Sequence, residues 1–418
     1  QTLQYRLIGY MPVERIVGSA NAIDVTLEKS ASNLDAMVVT ALGQTALKRT
    51  LPSAQQSVSG AELAQTGREN FINALAGRVA GVDVTSTSGV PGASSSITIR
   101  GVSSISGSNQ PLMIVDGLPL DNKTLNTNVL ASDAPGSATA FNNRGVDFTN
   151  RAADINPEDI ETLVVLKGPE AAALYGIDAA NGAIVITTKR GKAGTGGFEY
   201  SNFVRFDNTR AQPEIQGVYG PTSQAGATLG SFQYFGAPYA QGTQLFDNVD
   251  GFFRTAISQQ HVLTFSGASP DNRLNYRISG NLSSNNGVIP NSDLRRINLT
   301  GSSAAQVNKY VKADLSMIYV QSDNNQPEKG GNGPLLGLLL WPQTDDASDY
   351  LSPAGSRRRI TSLAANSEVD NPYFSVNRNA ITSNVQRIFP NVGLTLTPFS
   401  WGYLKTNIGV DNYTTSTQ

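Results

Sequence analysis

Beyond Gly191 the chain alternates apolar and polar residues in long runs. Between Arg273 and Ser283, the residues Leu274, Tyr276, Ile278, Gly280 and Leu282 fall on one face of an extended strand. Arg273, Asn275, Arg277, Ser279, Asn281 and Ser283 fall on the other. Between Val311 and Val320, the set Val311, Ala313, Leu315, Met317 and Tyr319 opposes Lys312, Asp314 and Ser316. Weaker copies occupy 198–207, 261–268, 297–301, 392–397 and 404–410. Turn signals divide the region into about seven to nine strands. Runs of about ten residues with an apolar face, a polar or charged face and terminal aromatics are the pattern of membrane-barrel strands. Several exceed the five or six residues common in soluble sheets. The pattern predicts a transmembrane β-barrel in preference to a soluble sandwich with one wet face.

Upstream the texture differs. Residues 51–192 read as a mixed α/β unit. A helix is predicted over 59–65 with Ser59 as its N-cap. Another is predicted over 70–80, where Phe71, Leu75 and Val79 share a face. Strands are predicted at 82–85, 96–100, 112–115, 162–166 and 183–188. Asp116-Gly117 makes a hairpin turn, a helical turn starts at 156–159, and Pro169 stands near the first turn of a short helix over 170–175. Residues 1–32 read as the end of a small β domain with strands at 3–10 and 22–27. Residues 33–50 read as a tether in which Met37–Thr40 is β-prone and has no local partner; it is offered to the sheet edge of another protein by β-augmentation, the alternative being an ordinary strand of the preceding domain.

An eight-stranded barrel holds only side chains, whereas one wide enough for a plug the size of 51–192 needs about 22 strands. The chain is therefore expected to continue past Gln418 and, with no signal-like opening at Gln1, to be cut at both ends. No apolar run approaches the roughly 20 residues of a spanning helix, the longest candidate being Leu335–Trp341.

Composition narrows the function. Lys+Arg total 31 against Asp+Glu 33, for a net charge of −2, which argues against nucleic-acid binding. Only 15% of residues are charged and 40 of the 418 are Gly, suiting twisted β structure with long loops. The absence of Cys removes disulfides, thiolate metal sites and cysteine nucleophiles. With one His, and without G-x-S-x-G, H-E-x-x-H, P-loop or dinucleotide fingerprints, an enzyme is not expected, nor a cofactor or metal.

Three blocks, Asn73–Gly101, Asn109–Asn122 and Ile155–Lys192 (with its VLKGP, ALYG and NGAI core), resemble the SusC/RagA family of TonB-dependent outer-membrane transporters. Phe253–Gly267 is similar to the family's early barrel. The resemblance implies residues 1–32 as the tail of a carboxypeptidase-regulatory-like domain, 33–50 as TonB box and linker, 51–192 as plug, and 193–418 as the first strands of a 22-stranded barrel. It places the TonB box at Met37, Val38, Val39, Thr40 and Ala41, although Ala36-Met37 stands where an acidic or second Val residue is more usual. Its plug motif falls on Arg100, Gly101, Asp116, Gly117, Lys167, Gly168, Pro169, Tyr175 and Gly176. The implied activity is TonB-driven import of oligosaccharides or oligopeptides across the outer membrane of a Gram-negative bacterium. The implied partners are TonB, a SusD-like surface lipoprotein, outer-membrane lipid and the ligand. The competing reading is a soluble or surface β-rich binding protein without transport.

Each singled-out residue also has a plainer reading. Arg100 is expected to be a structural Arg paired within the plug or to the wall. Asp116-Gly117 is turn chemistry, and Lys167-Gly168-Pro169 a strand-to-helix turn rather than a phosphate site. His261 is expected at the rim or in the lumen, and Arg357-Arg358-Arg359 in a solvated loop. Leu335–Trp341 is expected as an amphipathic turn packed at the barrel mouth, with docking of a lid partner as the sharper reading. Phe203 and Tyr403 are candidate lumen aromatics by alternation.

Overall fold

The computed structural model describes residues 2–5, 13–16, 25–26, 37–39, 45–47, 55–105, 108–122, 147, 149–191, 196–210, 212–220, 235–328, 333–360, 369–379, 381–399 and 401–418. The chain divides into two compact units, Gln1–Ala54 and Gln55–Gln418. In the first, β1 (Thr2–Tyr5) pairs antiparallel with β2 (Val13–Ile16), and β3 (Met37–Val39) with β4 (Thr45–Leu47). Two expectations change here. The strand expected over 22–27 is not found at Val25 and Thr26, its two described residues. Met37–Val39 does have a local partner: Met37, Val38 and Val39 lie opposite Leu47, Ala46 and Thr45. The intervening loop, which contains Gly43, is short enough for a hairpin.

The second unit opens with β5 (Gln55–Ser59), which runs straight into α1 (Gly60–Ala64). Ser59 caps that helix as expected, accepting from the Glu62 amide at 3.3 Å. α2 (Phe71–Ala74) is one turn long, against the eleven residues expected. Its cap is Asn70, and its spacing still buries Phe71, Leu75 and Val79. The helix ends at Ala74 with Leu75 as its C-cap, and Gly77, at φ 73°, then turns the chain away. Then come β6 (Val82–Ser86), β7 (Ser95–Ile99), β8 (Leu112–Val115), β9 (Leu118–Leu120), β10 (Ile160–Leu166), α3 (Pro169–Tyr175) and β11 (Ala183–Thr188). β6 and β7 form a separate hairpin, while the others build a five-stranded sheet in the order β5-β10-β11-β8-β9. Single 3-10 turns at Arg151–Asp154 and Pro157–Asp159 lead into β10.

A second, eight-stranded antiparallel sheet follows, from β12 (Gly197–Asp207), β13 (Ala256–Ala268), β14 (Leu274–Asn286), β15 (Asp293–Gln306) and β16 (Val311–Gln326). Beyond α4 (Pro334–Leu340), the short pair β17 (Arg359–Ile360) and β18 (Val369–Asp370), and α5 (Pro372–Arg378), it continues with β19 (Ile381–Phe399), β20 (Gly402–Gly409) and β21 (Asn412–Thr417). Most of these strands are longer than the alternation showed, because it fades where loop-end residues turn polar.

Burial gives this sheet its sense. On β14 the polar side is the hidden one: Ser279 is 1% exposed and Arg277 7%, while Ile278 is 59% exposed. Ser258, Val262 and Thr264 on β13 are likewise buried, and Ile257, Leu263 and Phe265 are exposed. This inside-out pattern is that of a membrane barrel wall, here wrapped on the α/β unit, or plug. The wall's polar face meets the plug. Part of the contact is also apolar. Ile318 and Val320 on β16 and Phe389 on β19 join the plug's core with Leu163, Val165, Ile184 and Ile186. Phe399 and Trp401 stack at 5.1 Å at the end of β19, as interfacial aromatics do. No described helix is long and apolar enough to cross a membrane.

At one end of the wall the connections are short, from Ala268 to Leu274, Gln306 to Val311 and Phe399 to Gly402; at the other they run from Asp207 to Ala256, Asn286 to Asp293 and Gln326 to Ile381. At the long-loop end, Val249 and Phe252 pack on Leu338 of α4 and Val376 of α5. Leu335–Trp341 thus contributes to a small loop core, with Leu335 and Leu336 left exposed. The arginine loop is not simply solvated. Arg358 grips both Asp345 carboxylate oxygens at 2.6 and 2.7 Å.

Candidate functional site

The seam between plug and wall concentrates the chemistry. The two 3-10 turns before β10 present Asp154 and Asp159 to the wall. Asp159 Oδ1 accepts from Arg277 Nη1 at 2.6 Å and from Ser279 Oγ at 2.5 Å. The pair is almost wholly buried, at 8% and 4% side-chain exposure. Arg387, 2% exposed, donates to Asp154 Oδ2 at 3.2 Å and to the Arg151 carbonyl at 2.6 Å. It holds Asp411 through a two-point fork at 2.8 and 2.6 Å. Arg296 donates to the Ala153 carbonyl at 2.8 Å, and Asn298 to the Asp154 carbonyl at 2.5 Å. Arg205 lies 3.7 Å from Glu69. In these contacts the plug supplies carboxylates and carbonyls and the wall supplies arginines, whose planar forks suit that role. Arg190 of the plug with Asp314 of the wall reverses the sense.

Burial pushes the Asp154 carboxyl up, with Arg296 and Arg387 pulling it back. Glu69 is likewise raised by burial, opposed by the Gly92 amide and by Arg296 and Arg205. At the long-loop end of the seam, a cavity of about 630 Å³ opens between the β6–β7 hairpin loop and the ends of β12, β14 and β15. Arg68, Glu69, Arg205 and Arg296 line it.

The sequence-predicted plug residues divide among three places. Asp116 and Gly117, at φ 48° and 89°, form the β8–β9 turn. Asp116 also ties that turn to β11, accepting from the Thr188 amide at 3.0 Å and hydroxyl at 2.7 Å. Its carbonyl accepts from Asn391 of the wall at 3.1 Å. Lys167, Gly168 and Pro169 form the expected strand-to-helix turn, with Pro169 at the first position of α3. Lys167 Nζ donates to the Ala80 carbonyl at 2.6 Å. Arg100 sits beside this turn, its guanidinium against the open side of Gly168. It is exposed, its φ is 61°, and it makes no ion pair among the described residues. The paired structural arginine expected there is not found. Gly101 follows it on the surface, also at positive φ. Tyr175 ends α3, its phenol pushed up to about 12 by burial, and Gly176 caps the helix. Of the expected TonB box, Met37, Val38 and Val39 lie in β3, while Thr40 and Ala41 lie outside the described residues.

Phe203 does face the plug, with the tip of its ring against Gly67. Tyr403 shares the inward face of β20 with Asn407, which reaches Gly117. His261 is neither at the rim nor in the lumen. It lies mid-strand on the outward face with Leu263, its Nδ1 2.8 Å from Tyr200 Oη and 3.0 Å from Asn202 Nδ2.

Sequence reasoning missed Glu69, Asp154, Asp159, Arg296 and Arg387 as seam residues. Alternation had put Arg277 on the polar side, which was the one usable signal.

Comparison with known proteins agrees with this arrangement. Residues 47–183 match the family described as TonB-dependent Receptor Plug Domain. The chain is 31% identical over 374 residues, 88% of its length, to the TonB-dependent receptor SusC of Bacteroides thetaiotaomicron, of which it covers 34%. It is 28% identical to TonB-dependent receptor P26 of Formosa agariphila, over 83% of this chain and 33% of that protein. It thus spans about a third of the length of the curated relatives it matches. Among solved structures, the RagAB peptide importer in its open-open state superimposes with a TM-score of 0.63 at 22% identity, over 91% of this chain and 43% of that one.

Proposed function

We propose that the chain is part of a TonB-dependent transporter of the SusC/RagA type, not an enzyme, and that it works in energy-driven import of oligosaccharides or oligopeptides across the outer membrane of a Gram-negative bacterium. The observation that carries the reading is the inside-out wall. Its apolar side faces outward, and its polar side closes on a plug through buried arginines. Short turns mark the periplasmic end and long loops the outer end, so the 630 Å³ cavity opens outward. A SusD-like lipoprotein is the proposed partner over the loop core at 249–252, 338 and 376.

On this reading residues 1–32 belong to a small carboxypeptidase-regulatory-like domain and 33–50 carry the TonB box. The box is centred on Met37–Ala41. TonB would exchange its own strand for, or add it beside, a hairpin of only three residue pairs. The plug begins with edge strand β5, bonded to β10 alone within the sheet. Pull arriving from the N-terminal side therefore meets an edge strand of the plug sheet first. A soluble binding protein is disfavoured, because the outward face of the wall would leave a band of Leu, Ile and Phe in water.

The test is deletion of Met37–Thr40 in the full-length protein. Uptake by cells should cease while the amount in the outer membrane stays unchanged. Undiminished uptake would refute the TonB box assignment, and recovery of the intact protein in the soluble fraction would refute import altogether.

A further inference from the structure

We propose that the outward cavity between the β6–β7 hairpin loop and the wall is a binding site for the acidic groups, carboxylate or sulfate, of an oligosaccharide. The inference deepens the import reading and rests on it. Three guanidinium groups and two carboxylates, Glu69 and Asp207, line the cavity. Their pairings are uneven. Arg205 is satisfied, with Asp207 at 2.7 Å, Glu69 at 3.7 Å and the Gly67 carbonyl at 3.2 Å. Arg68 makes no ion pair among the described residues. Arg296 is only 6% exposed and its single hydrogen bond runs to the Ala153 carbonyl, so its Nε has no partner. A buried guanidinium without a bonded carboxylate is a costly arrangement.

The acidic residues do not cancel this surplus. One Glu69 oxygen already accepts from the Gly92 amide at 3.2 Å, and the other faces Arg205 at 3.7 Å. Asp207 is committed to Arg205. What the cavity lacks is an oxyanion able to take two parallel N–H donors, which carboxylates and sulfates provide.

The remaining lining names the rest of the ligand. Asn73, Ser86, Ser88 and Asn286 offer amides and hydroxyls of both hydrogen-bonding senses, whereas Asn70 and Thr149 are bonded within the protein. Among the described lining residues there is no aromatic ring and no Leu, Ile or Met to receive a peptide side chain. Such a surface matches sugar hydroxyls, and the two unpaired arginines match an acidic substituent.

The full-length transporter, purified in detergent, would be titrated by calorimetry with four probes: a galacturonate tetrasaccharide, a sulfated galactan tetrasaccharide, the neutral galactan tetrasaccharide and pentaglutamate. One of the acidic saccharides should bind at least about tenfold tighter than the neutral one, the span a charge-assisted hydrogen bond supplies. Its affinity should fall as salt is raised from about 50 to about 300 mM. Arg68→Gln, at an exposed position that folding does not need, should weaken the acidic saccharide about five- to tenfold and leave the neutral one unchanged. Arg68→Lys should recover part of the loss, and Arg296→Gln should weaken binding further.

Equal binding of neutral and acidic saccharides, no binding of either acidic saccharide, indifference to Arg68→Gln, or tighter binding of pentaglutamate would each overturn the assignment. Uptake by cells separates the two levels. Acid-dependent binding without TonB-dependent uptake would sink the import reading and leave the site. Uptake of neutral saccharides with no acid binding would do the reverse.

Discussion

Asp159→Ala tests the idea that buried charge pairs hold the plug to the wall. Asp159 Oδ1 takes both Arg277 Nη1 and Ser279 Oγ. Its loss leaves Arg277, 8% exposed at the side chain, with only Ser279 and Thr264 hydroxyls nearby, at 3.2 and 3.3 Å. Removing one member of a buried pair costs about 3–5 kcal/mol, much of it the stranded charge. At about 1.4 kcal/mol per tenfold, opening of the seam should become roughly 100- to 4,000-fold more frequent. Amide hydrogen exchange in the full-length protein reads this directly, at Ile160–Leu166 and Ala183–Thr188, the strands next to the pair. Replacing both partners by apolar residues, Asp159→Leu with Arg277→Met, should return most of the protection, since no charge is then stranded. Exchange that rises less than about tenfold in Asp159→Ala, or a double variant no better than the single, would refute the reasoning.

Other expectations follow from single contacts. Phe389→Ala should cost about 3–5 kcal/mol in resistance of the plug to denaturant, because a ring 3% exposed between two layers leaves a cavity. Gly60→Ala should lower the yield of folded protein and its thermal midpoint, since a Cβ there would overlap the Ile160 carbonyl; an unchanged midpoint would contradict it. Glu69 is raised by burial, so its contribution is full below the unfolded value of about 4.3 and is lost as pH rises through the raised value. Exchange protection around α1 and α2 should therefore decline across that acidic interval in the wild type, and Glu69→Gln should flatten the decline.

Much of this architecture could be read from the chain. Period-two alternation located β14 and β16, and the burial of Arg277 and Ser279 opposite exposed Ile278 vindicates the face assignment. Local chemistry placed Ser59, the Asp116-Gly117 turn and Pro169 correctly, because caps and turns depend on neighbours in sequence. What alternation could not supply was the identity of the partner. Arg277 meets an aspartate 118 positions away, and Arg387 one 233 positions away. No local pattern encodes such a meeting. α2 failed as an eleven-residue helix for a related reason: the spacing of Phe71, Leu75 and Val79 records which side chains go inward, not the path between them. His261 was misplaced because its strand begins five residues earlier than alternation showed, at Ala256.

The three wall residues that join the plug's core have a consequence for assembly. Were the cylinder to close first and receive its stopper later, Ile318, Val320 and Phe389 would line a water-filled bore. Each would forgo about 1.5–3 kcal/mol of burial there. Condensing the two parts together avoids that loss, with the stopper as the mould on which β16 and β19 are laid.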